Sequence, residues 1–86
     1  MSNYERDRAL GQYTVLKEKI YRLGIKAQSL VDSINVEMNA FALAESDFSD
    51  MDFQKIETLV KELRQLQSDY KEAVSRMTNL KDTYNF

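Results

Sequence analysis

An unbroken alternation of apolar residues in steps of three and four is the feature that most constrains the fold of this chain. A first series comprises Tyr13, Leu16, Ile20, Leu23, Ala27, Leu30 and Ile34, and a second comprises Ile56, Leu59, Leu63, Leu66, Tyr70, Ala73, Met77, Leu80 and Tyr84. Steps of three and four keep side chains on one stripe of an α-helix. The sequence therefore predicts two amphipathic helices, each with one continuous apolar stripe.

The two predicted helices belong to one small all-α domain, residues 1–86. Two long helices with facing stripes, joined by a short polar segment, form an antiparallel hairpin. We place the first long helix at 12–43, the second at 50–83 and a short N-terminal helix at 3–10. Folding the chain about residue 48 puts Ala27 opposite Tyr70 and Leu23 opposite Ala73, so that small side chains meet large ones.

The two glycines of the chain lie within the predicted helical segments. Gly11 separates the charged segment 3–10 from the long helix, and it marks either a bend in the chain or a glycine tolerated on the solvent side. Gly24 follows the stripe residue Leu23, where it either admits a neighbouring backbone closely or is simply tolerated. Glycine in a helix costs about 1 kcal/mol relative to alanine.

Capping signals mark the start of the second helix. Ser49 is a suitable N-cap, and Asp50 and Asp52 fall in the first turn, where the helix dipole favours anions. Phe48 and Phe53 occupy the two positions of a hydrophobic staple. Because the acidic residues lack the spacing and the glycine of an EF-hand loop, we interpret them as capping residues and not as a calcium site.

Composition excludes several classes of function. The chain has no histidine, no cysteine and no proline. The absence of histidine and cysteine removes disulfides, thiolate chemistry, the common zinc ligands and the usual acid–base catalyst near neutral pH. The serines have no partner for nucleophilic activation, and no phosphate-binding glycine loop is present. We therefore predict no enzyme activity, no catalytic residues, no metal site and no cofactor.

Charge and hydropathy bear on partners and location. No apolar run is long enough to span a bilayer, and no apolar signal-peptide core follows the N-terminus. We expect a cytoplasmic protein without a membrane partner. The net charge is −2, and the acidic excess lies in the second half of the chain. Duplex nucleic acid is therefore not an expected partner.

Apolar residues also occur away from the two stripes. They are Val15, Tyr21, Ile25, Val31, Val36 and Met38 in the first helix, with Val60 and Val74 in the second. A monomeric hairpin leaves these side chains exposed, and its core is too thin to stabilise a lone domain. We predict a homo-oligomer in which the first helix is central to the interface.

A basic edge suggests a binding site. Lys19, Arg22 and Lys26 follow one edge of the first helix, and Tyr13 and Tyr21 lie on the same helix. Cations beside aromatic rings suit a nucleotide, since the charge binds phosphate and the flat ring stacks on the base. The alternative is a solvated basic face, with Tyr13 simply part of the core stripe.

Three stretches resemble a known family. The stretch Gly11-Gln12-Tyr13-Thr14-Val15-Leu16 resembles an early glycine–tyrosine–x–x–leucine motif. Ile25-Lys26, followed by Leu30 and Ile34, resembles an isoleucine–lysine step. Leu66-Gln67-Ser68-Asp69-Tyr70, with Val74 and Arg76, resembles a leucine–glutamine–x–x–aromatic stretch. Together they resemble the anti-CBASS protein 2 sponges of phages, although Gln12 separates the glycine from the tyrosine and the turn lacks the expected tryptophan.

The resemblance implies a helical hairpin with a short N-terminal helix, assembled into a homo-oligomer, specifically a hexamer. Such sponges sequester the cyclic oligonucleotides of bacterial antiviral signalling in the host cytoplasm and do not hydrolyse them. Cyclic di- or trinucleotides would bind between protomers. By this resemblance Tyr13 stacks on a base, Lys26 meets a phosphate, and Arg76 belongs to a separate pocket for cyclic trinucleotides.

A function of another class also fits the pattern. A structural or adaptor coiled-coil protein would use its surplus apolar faces to dock a partner helix. The adaptor needs apolar area and tolerates changes at the basic edge, whereas the sponge needs Tyr13 and Lys26. A thermal-shift screen against cyclic nucleotides separates the two, because a ligand that binds only the folded state raises the melting temperature.

Overall fold

A computed structural model of the protein describes residues 3–43 and 51–86. It contains two helices, α1 (Asn3–Leu43) and α2 (Phe53–Tyr84), and the described residues include no strand. The predicted all-α class is thus confirmed. The molecule measures 66 × 16 × 14 Å, as expected for two long helices lying side by side.

Contacts near both ends of the helices show that α1 and α2 run antiparallel. At one end, the ring of Tyr13 in α1 contacts the ring of Phe86, just beyond the end of α2. At the other end, Glu37 of α1 forms an ion pair with Lys55 in the first turn of α2. The start of each helix therefore lies beside the end of the other.

The short helix predicted over 3–10 is not observed as a separate element. Instead, α1 continues through Gly11, which has no positive φ. The cost of a helical glycine, about 1 kcal/mol relative to alanine, is small compared with packing on both sides of it. Ala9 and Leu16 are both buried, so the helix is fixed before and after the glycine.

The start of α2 differs from the prediction at residue 50. Residues 51 and 52 are not helical, and α2 begins at Phe53. Asp52 is the N-cap, because its Oδ1 accepts a hydrogen bond from the backbone N–H of Lys55 at 3.0 Å. The predicted cap Ser49, the staple residue Phe48 and Asp50 lie outside the described residues.

The core between the helices is thin. Among the described side chains only Ala9, Leu16, Leu23 and Ala73 are buried. Most other members of the two stripes are half-buried, and Tyr70 is exposed. A pair of helices covers each stripe from one side only, and the stripe edges therefore remain open to solvent.

Candidate functional site

Polar residues line one side of the seam between the helices. Lys26 shares a groove with Glu62, Ser33 shares one with Lys55, and Gln12 shares one with Arg76. These residues repeat at intervals of seven on each helix, which keeps them along one side. We call this side the polar flank: it comprises Gln12, Lys19, Lys26 and Ser33 of α1 with Lys55, Glu62, Asp69, Arg76 and Thr83 of α2.

The groove beside Lys26 lies midway along the polar flank. It has a volume of about 420 Å³ and is lined by Lys26, Ser29, Leu30, Glu62, Gln65 and Leu66. Its floor is apolar, because Leu30 and Leu66 belong to the two stripes. Its rim is polar and carries one positive and one negative side chain. Such a combination suits a ligand with both a flat apolar part and a charged part.

The charge of Lys26 is available to a ligand. Lys26 is exposed and forms no ion pair within the described residues. The side-chain amide of the neighbouring Gln65 already has a hydrogen-bond partner, since its Nε2 donates to Oδ1 of Asp69 at 3.1 Å. An exposed ammonium without a carboxylate partner can form a charge-assisted hydrogen bond to a phosphate.

Arg76 lies on the same flank as Lys26 but in a different groove. That groove, about 220 Å³ in volume, is lined by Gln12, Arg76, Asn79, Leu80 and Thr83. Arg76 is exposed and has no ion-pair partner in residues 3–43 and 51–86. Arg76 and Lys26 thus line two separate grooves.

Tyr13 belongs to an aromatic cluster at the open end of the hairpin. Its ring centroid lies 5.3 Å from that of Phe86 at an interplanar angle of 57°. Phe86 also stacks on Tyr84, with centroids 5.8 Å apart, and the Arg6 guanidinium lies 5.4 Å from the Phe86 centroid. A nucleobase that stacked on Tyr13 would therefore join or displace part of this cluster.

The cluster depends on the end of α2, a feature not predicted from the sequence. Asn85 adopts the left-handed conformation, with φ 55° and ψ 50°, and its N–H donates to the carbonyl of Lys81. This C-cap turns the chain so that Phe86 folds back towards α1. Asparagine directly after a periodic helix is the sequence signal that indicates such a cap.

A single chain does not bring Tyr13 and Lys26 into one pocket. They are thirteen residues apart on one continuous helix, which corresponds to about 20 Å at a rise of 1.5 Å per residue. Tyr13 contacts the end of α2, whereas Lys26 borders the middle of the seam. Any pocket that contains both residues must draw them from different copies of the chain.

The other residues of the basic edge lie apart from the Lys26 groove. Arg22 donates to Oε2 of Glu18 at 3.5 Å, and both side chains are exposed. Arg22 lines a shallow groove with Thr14, Lys17 and Tyr21, on the side of α1 away from α2. The guanidinium of Arg22 is thus partly neutralised, unlike the ammonium of Lys26.

Lys55 is the one described group whose pKa is clearly displaced. The Glu37 carboxylate raises the pKa of Lys55 above its ordinary value, first by accepting a hydrogen bond and then by attracting the positive charge. Asp52 adds a smaller attraction in the same direction. The ion pair lies at the turn end of the polar flank, where it joins the two helices.

The described residues present binding chemistry. Within them there is no group of three or more metal-ligating side chains and no buried polar side-chain atom without a partner. Neither α1 nor α2 is long and apolar enough to cross a membrane. The exposed cations and the half-apolar groove can hold an anionic ligand, but these residues show no activated nucleophile beside them.

Comparison with protein-family models, with curated proteins and with solved structures finds no match to this chain.

Proposed function

We propose that the protein is a non-enzymatic sponge that binds and sequesters cyclic oligonucleotides, and that it acts in the cytoplasm of a phage-infected host. The observation that carries the proposal is Lys26, an exposed ammonium with no ion-pair partner among residues 3–43 and 51–86, beside a groove with an apolar floor. Sequestration needs charge and stacking surfaces but no general base. The chain, which lacks histidine and cysteine, has what that task requires.

The proposed ligand site lies between copies of the chain. Tyr13 and Lys26 are too far apart on one α1 to contact the same cyclic dinucleotide. A heterologous interface, in which different patches of two copies meet, allows Tyr13 of one copy and Lys26 of another to contact one ligand. We assign base stacking to Tyr13 of one protomer and phosphate binding to Lys26 of another. Arg76 serves cyclic trinucleotides in its separate groove.

Self-assembly is part of this proposal. The hairpin leaves large apolar side chains uncovered: Val15 is 65% exposed, Tyr21 71% and Val36 64%. A homo-oligomer would cover such side chains, and the family resemblance implies a hexamer. Assembly would also bring the open end of one hairpin close to the polar flank of another, as the proposed site requires.

Calorimetric titration with a cyclic dinucleotide tests the proposal. Base–aromatic stacking contributes about 1–3 kcal/mol and a charge-assisted contact about 1.5–3 kcal/mol. Tyr13→Ala and Lys26→Ala should therefore each weaken binding at least about tenfold. Lys61→Ala is the matched control, since Lys61 is exposed on α2 and lines none of the grooves described above. Light scattering establishes that each variant still assembles.

The outcomes separate function from site. If the wild-type chain binds no cyclic di- or trinucleotide at micromolar concentration, the sponge proposal is wrong. If it binds and both variants bind equally well, the function holds and the assignment of Tyr13 and Lys26 is wrong. Ligand recovered intact after heat denaturation agrees with sequestration, whereas a linearised product contradicts it.

The adaptor remains the second candidate because of one observation. Val15, Tyr21, Ile25 and Val36 are all more than half exposed on α1. Such side chains suit the docking of a partner helix. The two candidates make opposite predictions for the Lys26→Ala variant, which an adaptor tolerates without loss of function.

A further inference from the structure

The side of the hairpin opposite the polar flank is apolar. In an antiparallel pair, the positions just before Tyr13, Ile20, Ala27 and Ile34 share one side of the seam with their equivalents on the other helix. Those just after Leu16, Leu23 and Leu30 share the other side. Gly24 and Val31 follow stripe residues on α1, and Val60 and Val74 follow stripe residues on α2. Leu10 and Met38 continue the seven-residue series of Gly24 and Val31 towards either end of α1. We call these six residues the apolar flank.

The apolar flank is open in the isolated chain. Leu10 and Met38 are 42% and 50% exposed, Val60 is 37% exposed, and Val31 and Val74 are half-buried. These residues follow the seam along much of both helices, whereas the exposed residues on the outer side of α1 are scattered around it. Continuity over two helices is the property of an interface core.

Gly24 lies near the middle of this flank and has no explanation within one chain. A Cβ built at Gly24 meets no atom within 4 Å, apart from its own helix and neighbouring residues. The partner helix therefore does not require a glycine there. Glycine is nevertheless the costlier residue in a helix interior, by about 1 kcal/mol relative to alanine. A backbone that approaches from outside the chain would explain its presence.

We propose that the apolar flank binds a second copy of this chain, related by a two-fold axis that crosses α1 at Gly24. Two copies of α1 then run antiparallel and approach most closely where Gly24 meets Gly24 of the partner. This symmetry places Leu10 of one copy opposite Met38 of the other, and Lys17 opposite Val31. The result is a four-helix bundle whose polar flanks face outward on both sides.

The size of the flank fits such a dimer. A strip 66 Å long and about one helix diameter wide offers roughly 700 Å² per partner, close to the approximately 800 Å² of a standard interface. The dimer also places a second layer over a core in which only four described side chains are buried. Residues that are half-buried in one hairpin become the interior of a bundle.

Two lysines border the apolar flank at the open end of the hairpin, and their positions are compatible with a second copy of the chain. Lys17 and Lys81 occupy the same seven-residue series at the open end. The proposed axis places the aliphatic stem of Lys17 opposite Val31 of the partner, with its ammonium at the rim. Long lysine side chains cover apolar surface in this way while their charge stays in water.

Sedimentation equilibrium over a range of protein concentrations tests the interface. The wild-type mass should be an even multiple of the 10.1 kDa chain mass. Val60→Lys should raise the dimer dissociation constant at least about a hundredfold, because a two-fold interface uses the new charge twice. Val15→Lys on the outer side of α1 is the control and should leave it nearly unchanged. A chain that stays monomeric at about 100 micromolar, well above a micromolar dissociation constant, or dissociation by Val15→Lys alone, overturns the proposal.

The two glycines supply an independent test that does not depend on an introduced charge. Within one chain, a Cβ added at either glycine meets no atom within 4 Å, so Gly11→Ala should raise Tm by about 4–8 °C. Gly24→Ala should give the same rise only in dilute protein and should lower the affinity of the dimer. If Gly24→Ala raises Tm as much as Gly11→Ala at every concentration, no second copy meets Gly24.

Discussion

The two flanks of the hairpin differ although they border the same seam. The polar flank carries Lys26, Glu62 and Arg76, and open grooves follow it from the turn end to the open end. The apolar flank carries valine, leucine and methionine side chains at the corresponding positions. A hairpin that only needed to remain dissolved would place charge along the whole of both sides, whereas the side of the apolar flank is charged at Lys17 and Lys81 near the open end.

The difference shows how one stripe pattern can carry two tasks. The stripe residues hold the helices together, and the residues on either side of them decide what each flank contacts. In our proposals the polar flank takes the anionic ligand together with the open end of another copy, and the apolar flank takes the same flank of a two-fold related copy. That division can be tested by substitution, beginning with the seam on which both flanks depend.

Truncation of the seam should have the largest effect. Leu23 is buried, and Leu23→Ala should lower the free energy of unfolding by about 2–5 kcal/mol through lost burial and a cavity. Leu10→Ala on the apolar flank is the control, and its effect should be smaller in dilute protein and grow with concentration. Chemical denaturation at two protein concentrations measures both. If the two variants lose the same free energy of unfolding, and the loss does not change with protein concentration, the seam and the flank do not differ.

Substitution of Arg76 tests whether the polar flank holds two separate ligand sites. Arg76→Ala should weaken the binding of a cyclic trinucleotide about tenfold or more, since a charge-assisted hydrogen bond contributes about 1.5–3 kcal/mol. Binding of a cyclic dinucleotide should change by less than about twofold, because the groove of Arg76 is separate from that of Lys26. Arg64→Ala, at an exposed position outside these grooves, is the control. Equal weakening of both ligands contradicts two separate sites.

Phe86 tests the open end of the hairpin. Phe86→Ala removes the contacts with Tyr13 and Tyr84 and should destabilise the chain by about 1–2 kcal/mol. Tyr4→Ala is the control, since Tyr4 is 73% exposed, and should leave stability nearly unchanged. Thermal unfolding followed by circular dichroism compares the two. A neutral Phe86→Ala would show that the aromatic cluster does not hold the end of α2 to α1.

The ion pair at the turn end should give the smallest effect. Because Glu37 raises the pKa of Lys55, the contribution of the pair is complete below the unfolded-state value of 10.5 and declines as pH rises through the higher folded-state value. The wild-type chain should therefore lose slightly more stability than Glu37→Gln above about pH 10.5. Thermal melts at about pH 9 and about pH 11, on either side of that value, measure this. Identical pH dependence in both proteins contradicts the pairing.

The sequence predicts the architecture well because periodicity determines which residues share a helix face. The all-α class and the two helices follow from the steps between Tyr13 and Ile34 and between Ile56 and Tyr84. Single glycines and capping residues predict the exact ends of the helices less well. Gly11 suggests a break, but the packing of Ala9 and Leu16 on either side of it keeps α1 continuous. The second helix is predicted to begin at residue 50, whereas residues 51 and 52 are not helical and Asp52 is the N-cap.

The candidate site was predictable only in part. The exposure of Lys26 and Arg76 follows from their places beside the stripes. Their separation into two grooves, and the contact between Tyr13 and Phe86, depend on how the antiparallel helices align and on the left-handed Asn85. Contacts between residues so distant in sequence arise from tertiary packing and leave no local pattern.

The most direct test of the division between flanks is thiol cross-linking of two single-cysteine variants. The chain contains no cysteine, so each variant has one reactive position. Gln67 follows the stripe residue Leu66 on the side of the apolar flank, whereas Gln65 lines the groove of Lys26 on the polar flank. Both are exposed glutamines on α2.

With a short bifunctional thiol reagent, our account predicts that Gln67→Cys becomes a covalent dimer in high yield. It predicts that Gln65→Cys, at the same concentration, stays largely a single chain. Denaturing gel electrophoresis reads out both. Efficient cross-linking of Gln65→Cys with little at Gln67→Cys would place the polar flanks of two copies against each other, and would contradict a two-fold interface on the apolar flank.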